Sequence, residues 1–174
     1  MYKFLKQINH PLQPQLVVRT YIKGTSSEMN NLMEENLPGM IFPPLFWDKD
    51  NYTPLAEDIK IYSNLLRHCL FGINAASTVS LELMMFDKPI INLGFDPPGS
   101  LLPDFSKFSN HIRLDHYQPI ANSKSVMIAN SELDLKEMII SALNFPHNNS
   151  KDRKQFIDKM FDNSLEGKAA EKIS

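Results

Sequence analysis

Cysteine is nearly absent from this sequence, and its scarcity excludes a disulfide framework. Only Cys69 occurs among the 174 residues, so neither a disulfide nor a cysteine-based metal site can form within one chain. The five histidines show no spacing typical of metal ligands. We therefore predict no metal and no cofactor, and the lone thiol fits a reducing, cytoplasmic setting best.

Long apolar runs and an excess of charge of one sign are also missing. The 18 basic and 20 acidic side chains give a formal charge of −2, which offers no reason to expect a nucleic-acid partner. No run approaches the ~20 apolar residues of a membrane helix, and the basic opening MYKFLKQINH lacks the apolar centre of a signal peptide. We expect a soluble protein with no transmembrane segment.

Apolar residues are plentiful enough, at 43%, for one hydrophobic core. Residues 1–14 are predicted to form a short helix and a Pro-flanked linker, and residues 15–174 to form one domain. Because the short helix runs straight into the linker, we expect the chain to begin in the middle of a longer protein.

Apolar, β-branched runs alternate with segments that carry helix signals. The predicted strands are 16–21, 40–42, 70–73, 89–93, 111–114 and 126–129. The predicted helices are 25–36, 53–66, 77–86, 131–143, 151–163 and 166–173. Strands separated by helices favour parallel pairing through right-handed crossovers. The expected fold is therefore α/β, a three-layer Rossmann-like parallel sheet flanked by helices.

Capping patterns predict helix starts at Thr25, at Thr53 and at Ser131. In the second of these helices the predicted buried face consists of Leu55, Ile59, Tyr62 and Leu66. In the third it consists of Leu135, Met138, Ile139, Ala142 and Leu143. The segments 45–51 and 97–110 are predicted to be loops.

The most informative segment is GINAASTVSLE, residues 72–82, in which a strand breaks into small polar residues and enters a helix. Small side chains let a ligand approach the backbone, and the hydroxyls of Ser77, Thr78 and Ser80 add donors to the free N–H groups of the first turn. Such a turn suits a diphosphate. Glu82, one to two turns deeper, suits two vicinal hydroxyls of a ribose. The alternative is that the hydroxyls only cap the helix and that Glu82 is a solvated charge.

Residues of this segment also carry a resemblance to a known family. The string INAASTVSLELMMFDKPIINLGFD resembles the donor-binding segment of GT-B glycosyltransferases. The ending LEGKAAEKIS resembles the closing helix of that group, and LVVRTYIKG resembles a strand end of its bacterial polysaccharide-type members. The resemblance covers about residues 15 to 174. It implies a C-terminal Rossmann-like domain, one half of a GT-B fold, that binds a nucleotide sugar such as a UDP-sugar.

The resemblance also implies roles for individual residues. It places Ser77, Thr78 and Ser80 near the diphosphate, Glu82 near the ribose and Asp96 against the sugar hydroxyls. Asn74, at the strand end of the same segment, is counted with the donor-binding residues.

One departure from the family pattern concerns the end of the first strand. Many bacterial relatives have His-Pro there, whereas this chain has Tyr21 and Ile22, so the phosphate role passes by hypothesis to Arg19 or Lys23. Arg19 ends a buried strand and should meet either a carboxylate or an anionic ligand. Lys23 fits a solvated surface position equally well.

Two further groups have open alternatives. Pro43 and Trp47 belong to an aromatic loop that either stacks on the base or only packs. The polar triplet Asp115, His116 and Tyr117 is interpreted as a surface turn, with the alternative that His116 approaches the donor or the missing domain.

The resemblance implies an enzyme, a glycosyltransferase of bacterial cell-surface polysaccharide or glycoconjugate synthesis. The acceptor pocket and the catalytic base are expected in an N-terminal domain outside this chain, so no catalytic residue is assigned and the isolated chain is expected to be inactive. The full enzyme would associate with a membrane at most peripherally. The alternatives are a CDP-polyol phosphotransferase or nucleotide-sugar epimerase on the same scaffold, and a non-catalytic interaction domain.

Overall fold

The computed structural model describes residues 1–20, 22 and 25–161. The chain divides into two compact units, Met1–Leu65 and Leu66–Ser174. This division falls within a helix, Ala56–His68. The expectation that residues 15–174 act as one domain stays a prediction.

The first unit is built from short elements. In chain order these are α1 (Tyr2–Gln7), β1 (Leu16–Val17), α2 (Ser27–Glu34), β2 (Met40–Ile41), β3 (Trp47–Asp48), β4 (Thr53–Pro54) and the start of α3 (Ala56–His68). Strands β1 and β2 are parallel, with Leu16 opposite Met40. Strands β3 and β4 form an antiparallel hairpin.

Two predicted helix starts in this unit are wrong. Ser26, not Thr25, caps α2, and its hydroxyl accepts a hydrogen bond from the amide of Met29 at 3.2 Å. Thr53 and Pro54 form strand β4 within the segment predicted to begin a helix. Proline is tolerated there because an edge strand does not need every amide as a donor.

The apolar face predicted for α3 is wrong at its first half. Leu55 and Ile59 are exposed, whereas the carboxylate of Asp58 lies inward and only 2% exposed. That carboxylate accepts hydrogen bonds from three donors of the first unit, and these bonds orient the start of α3 so that Asp58 faces the interior. Leu66, at the other end of the predicted face, is buried.

The second unit contains a three-stranded parallel sheet. Its elements after α3 are β5 (Gly72–Asn74), α4 (Val79–Met85), β6 (Ile90–Leu93), a 3-10 turn (Asp104–Ser106), α5 (Phe108–His111), α6 (Gln118–Ala121), β7 (Met127–Ala129), α7 (Glu132–Asn144) and α8 (Ser150–Phe161). The strand order is β5-β6-β7, and both pairings are parallel. An α/β fold with parallel sheets flanked by helices is therefore confirmed, although the described strands form small separate sheets and not one large sheet.

Strand β6 is the centre of the core. Ile90, Ile91 and Asn92 are buried, as expected for a central parallel strand that is covered on both faces. Helix α4 packs very closely on β5, because a Cβ atom at Gly72 would lie 2.3 Å from Cδ1 of Leu83. Helix α7 begins at the predicted cap, where the hydroxyl of Ser131 accepts from the amide of Asp134 at 3.1 Å. Four of its five predicted core residues are buried, namely Leu135, Ile139, Ala142 and Leu143.

The strand predicted at 111–114 is wrong. Its residues continue from α5 into a series of turns, in which the amide of Arg113 donates to the carbonyl of Asn110 at 3.0 Å. The predicted loop at 97–110 contains the 3-10 turn and most of α5. The predicted helix 151–163 corresponds to α8 as far as Phe161, and the predicted helix 166–173 lies outside the described residues.

A buried arginine fastens α8 to the turn before β6. The guanidinium of Arg153 donates to the carboxylate of Asp87, with an Nε–Oδ1 distance of 2.8 Å, and to the carbonyls of Asn148 and Pro146. Asp87 has a left-handed backbone with φ of 52°.

No helix among the described residues has both the length and the apolar character needed to cross a membrane.

Candidate functional site

The candidate site lies at the carboxyl edge of the β5-β6-β7 sheet. Because these strands are parallel, the segments that follow them collect at one edge, where α/β proteins usually bind ligands. The segments are 75–78 after β5, 94–96 after β6 and 130–131 after β7. The first of them, here called the β5–α4 turn, belongs to the segment from which the sequence predicts nucleotide binding.

Four polar side chains beneath this turn form a hydrogen-bonded group, here called the buried cluster: Asn74, Ser80, Asn92 and Tyr117. The Ser80 hydroxyl lies 2.7 Å from the Tyr117 hydroxyl, which donates to Oδ1 of Asn92 at 2.9 Å. The Asn92 amide nitrogen donates to Ser80 Oγ at 3.2 Å and to Asn74 Oδ1 at 3.0 Å. Ser80 and Asn92 are 0% exposed, so water does not share in these bonds.

The donors of the cluster form a closed cycle. Tyr117 gives its only proton to Asn92, so Ser80 donates to Tyr117, and Asn92 donates back to Ser80. Burial raises the pKa of the Tyr117 phenol, so loss of this proton is even less favourable than in an exposed tyrosine. Closed chains of this kind reinforce one another in a dry interior and fix side-chain positions.

The buried cluster supports the β5–α4 turn through hydrogen bonds. Oδ1 of Asn74 accepts from the amide of Ser77 at 2.9 Å, and the Ser77 hydroxyl accepts from the amide of Val79 at 3.3 Å. Ala76 is forced into a left-handed backbone with φ of 54°. A conformation that is costly for alanine persists only where the surroundings determine it. These hydrogen bonds therefore determine the backbone conformation of the turn.

The same turn has hydrogen-bond donors that the described part of the chain does not use. Thr78 is exposed and its hydroxyl makes no capping hydrogen bond to α4. Within the described part of the chain, the backbone amides of Ala75, Ala76 and Thr78 have no hydrogen-bond acceptor. A turn that is held by hydrogen bonds and has several unused donors is suited to an anion.

The other predicted residues of this unit have different positions. Ser80 is inaccessible, and its hydroxyl is used inside the cluster. Glu82 is half-buried, one turn into α4. The Asp96 carboxylate accepts from the Ser109 hydroxyl at 2.5 Å and from the amide of Phe108 at 2.7 Å. The hydrogen bond from Ser109 is the main cause that lowers the pKa of Asp96. Through its bonds to Ser109 and Phe108, the Asp96 carboxylate holds the loop after β6.

In the first unit a second polar group surrounds Asp58. Its carboxylate accepts from Arg19 Nη2 at 2.5 Å, from Trp47 Nε1 at 3.0 Å and from the amide of Phe46 at 3.0 Å. The guanidinium of Arg19 also lies 5.0 Å from the ring centre of Tyr62. The sequence predicts either a carboxylate or an anionic ligand as the partner of Arg19, and in the structure the partner is the carboxylate of Asp58.

The remaining predicted contacts are tested less directly. Pro43 and Trp47 are both half-buried in the first unit, and stacking on a base stays a prediction for them. Lys23 lies outside the described residues. The structure thus brings Asn74, Ser77 and Ser80 together in the second unit.

The sequence does not predict two residues of the buried cluster. The sequence predicts a surface turn at Tyr117, which is buried, and an apolar strand at 89–93, in which the polar Asn92 is buried. A usable signal was present for Asn92, because an amide inside the run Ile90–Leu93 must find partners when the strand is buried. No local signal marked Tyr117, since its partners are distant in sequence.

Other sites for a ligand have little support in the described residues. A cavity of about 20 Å³ lies at the opposite, amino edge of the sheet, lined by Pro89, Ser125 and Arg153 among others. It has room for about one water molecule and not for a nucleotide. Within residues 1–20, 22 and 25–161, no three histidine, cysteine or acidic side chains lie close enough to hold a metal.

Comparisons with known proteins add no relative. No protein-family model, no curated protein and no solved structure matches the chain.

Proposed function

We propose that this chain is the donor-binding half of a GT-B-type glycosyltransferase and that its β5–α4 turn binds the diphosphate of a nucleoside-diphosphate sugar. The observation that carries the proposal is a turn that side-chain hydrogen bonds hold and that has unused donors, at the carboxyl edge of a parallel sheet. The buried cluster holds those donors in place before any ligand arrives. Preorganised donors stabilise charge that develops on a departing diphosphate, because they need no reorganisation during the reaction.

The ligand contacts of the proposal come from the turn and from α4. The amides of the turn and the hydroxyls of Ser77 and Thr78 contact the diphosphate. Glu82, one turn deeper, accepts hydrogen bonds from the ribose. The order of phosphate and ribose along α4 follows the resemblance to GT-B enzymes, and the observed α/β fold with parallel sheets is compatible with it.

Three predicted contacts take a different role in this proposal. Asn74 and Ser80 position the turn, because their side chains are engaged in the buried cluster. Asp96 positions the loop after β6, because its carboxylate already binds Phe108 and Ser109. None of the three then touches the donor directly.

Calorimetric titration of the full chain with UDP, GDP, CDP and their sugar conjugates tests the proposal. We expect saturable binding of one diphosphate. Thr78→Ala should weaken it roughly tenfold to a hundredfold, since a hydrogen bond to a charged group contributes about 1.5–3 kcal/mol. Glu82→Ala should weaken binding of the nucleotide but not of inorganic pyrophosphate.

Ser63→Ala is the matched control, because Ser63 is an exposed hydroxyl on α3 outside the turn. It should bind as the unchanged chain does. A preference for CDP would favour the polyol phosphotransferase over the glycosyltransferase. Absence of binding by every diphosphate, in a chain whose circular dichroism shows a folded protein, would contradict the proposal.

The second candidate is a non-catalytic interaction domain that retains the scaffold. One observation favours it, namely that Ser80 and Asp96, two polar side chains at the proposed site, are engaged within the protein. The same titration decides between the two, since an interaction domain would bind none of the nucleotides.

A further inference from the structure

Tyr117 connects two parts of the second unit that are distant in sequence. Its hydroxyl belongs to the buried cluster, and its backbone precedes α6 as the N-cap residue. We propose that Tyr117 is a positioning residue of the diphosphate site and that it couples this site to the part of the chain containing α5 and α6, here called the α5–α6 segment (residues 108–121). The inference rests on the proposed function and adds a control of affinity by a segment outside the β5–α4 turn.

Three hydrogen bonds lead from Tyr117 to the backbone of the β5–α4 turn. The phenol donates to Oδ1 of Asn92 at 2.9 Å. The side-chain nitrogen of Asn92 donates to Oδ1 of Asn74 at 3.0 Å, and the same Oδ1 accepts from the amide of Ser77 at 2.9 Å. The orientation of each side chain therefore depends on the next one, because a side-chain amide that rotates to improve one bond breaks the other.

Solvent does not replace the first of these bonds. Tyr117 is 2% exposed and Asn92 is 0% exposed, and among the described residues only Tyr117 donates to Oδ1 of Asn92. A buried amide oxygen without a donor is unfavourable, so the loss of the phenol favours a rotation of Asn92 toward another partner. Such a rotation breaks its bond to Asn74, and the support of the Ser77 amide weakens as a result.

The α5–α6 segment is attached to β6 at two places. At its start, the carboxylate of Asp96, which follows β6, accepts from the amide of Phe108 at 2.7 Å. Towards its end, Tyr117 binds Asn92 in β6 itself. The backbone of Tyr117 is also held by α6, since its carbonyl accepts from the amide of the buried Ile120 at 2.9 Å. A displacement of the segment therefore moves the phenol relative to the buried cluster.

Coupling of this kind acts in both directions. If the position of Tyr117 affects the conformation of the turn, a ligand that selects the bound conformation of the turn must also stabilise the attachment of Tyr117. Bound pyrophosphate should therefore slow hydrogen exchange in the α5–α6 segment.

Tyr117→Phe tests the coupling, and Ser125→Ala is the matched control. The Ser125 hydroxyl is buried as well and donates to the carbonyl of Asp152 at 3.0 Å, but it precedes β7 at the opposite, amino edge of the sheet. The full chains are titrated with inorganic pyrophosphate in a calorimeter, at a temperature where all three are folded. We expect affinity to fall at least about fivefold in Tyr117→Phe, the lower end of typical coupling between sites, and to stay unchanged in Ser125→Ala.

Hydrogen exchange followed by NMR provides a second measurement, part of which needs no ligand. In the free proteins, the amides of Ser77 and Val79, which the cluster and the turn hold, should exchange faster in Tyr117→Phe than in Ser125→Ala, relative to the amides of α7 in the same protein. Added pyrophosphate should protect the α5–α6 segment in the unchanged chain and in Ser125→Ala, and protect it less in Tyr117→Phe.

The outcomes separate this inference from the proposed function. Weaker pyrophosphate binding and faster exchange of the turn amides in Tyr117→Phe alone support the coupling. Equal affinity of the two variants, or equal exchange of their turn amides, would overturn the coupling and leave the proposed function intact. Absence of pyrophosphate binding by the unchanged chain would contradict the proposed function, and exchange in the free proteins would still decide whether Tyr117 positions the turn.

Discussion

Replacement of Tyr117 by phenylalanine tests the buried cluster with the smallest possible change. The ring stays in its buried site and only the hydroxyl is lost. Ser80 can then turn its proton to Oδ1 of Asn74, which lies 3.3 Å away. Oδ1 of Asn92 has no such substitute, because Tyr117 is its donor at 2.9 Å and Asn92 is 0% exposed.

One unpaired acceptor therefore remains in the core of the second unit. The loss of a partner for a buried neutral group destabilises a protein by about 1–3 kcal/mol. We expect Tyr117→Phe to lower the free energy of unfolding by that amount, measured by urea denaturation with far-ultraviolet circular dichroism. The slope of the transition should stay the same, because the surface exposed on unfolding does not change.

Two comparisons isolate the cause. Tyr2→Phe removes a hydroxyl whose hydrogen bond to the carbonyl of Pro38 is open to water, and it should change the free energy by less than about 0.5 kcal/mol. A double-mutant cycle of Tyr117→Phe with Ser80→Ala should give a coupling energy above about 0.5 kcal/mol. A stability of Tyr117→Phe within about 0.5 kcal/mol of the unchanged chain would refute the reasoning, because water or a rearrangement would then satisfy Asn92.

Three further predictions concern other positions of the second unit. Gly72→Ala should lower the free energy of unfolding by about 1–3 kcal/mol, because the new Cβ would lie 2.3 Å from the buried Leu83; equal stability would mean that α4 shifts freely. Ala76→Gly should raise it by about 0.5–1 kcal/mol in the same denaturation assay, because glycine adopts a φ of 54° without strain; a loss would mean that the turn is not strained. The hydrogen bond from Ser109 lowers the pKa of Asp96 from its ordinary 3.8, so the folded state releases this proton more readily than the unfolded chain does. The contribution of Asp96 to stability is then present above pH 3.8 and lost as the pH falls further, and Asp96→Asn should flatten that part of the curve of stability against pH; an unchanged curve would contradict the pairing.

Elements with strong local signals were predicted well. Helix α7 begins at Ser131, where the hydroxyl and the carboxylate of Asp134 are three residues apart, and such a cap is complete within one turn. Strands β6 and β7 follow from short apolar runs, which are typical of buried parallel strands. Signals of this kind need no knowledge of the rest of the chain.

The errors occur where a distant partner outweighs a local signal. The pair Thr53 and Pro54 looks like a helix start, but it pairs with Trp47 and Asp48 as a strand. The start of α3 turns Asp58 inward because Arg19, 39 residues earlier, supplies a charged donor. Neither pairing leaves a periodic pattern, so sequence reasoning placed Leu55 and Ile59 on the buried face instead.

The sequence by itself determined that parallel strands alternate with helices in the second unit and that a small, polar turn follows β5. Which polar groups remain free at that turn was decided only by the tertiary structure. Ser80 is withdrawn from it by Tyr117, 37 residues away, and Tyr117 is paired with Asn92 across 25 residues. A hydroxyl in the sequence can donate its hydrogen bond to a ligand or to another group of the protein. The difference depends on whether folding brings a partner to it, because a buried polar group must be paired.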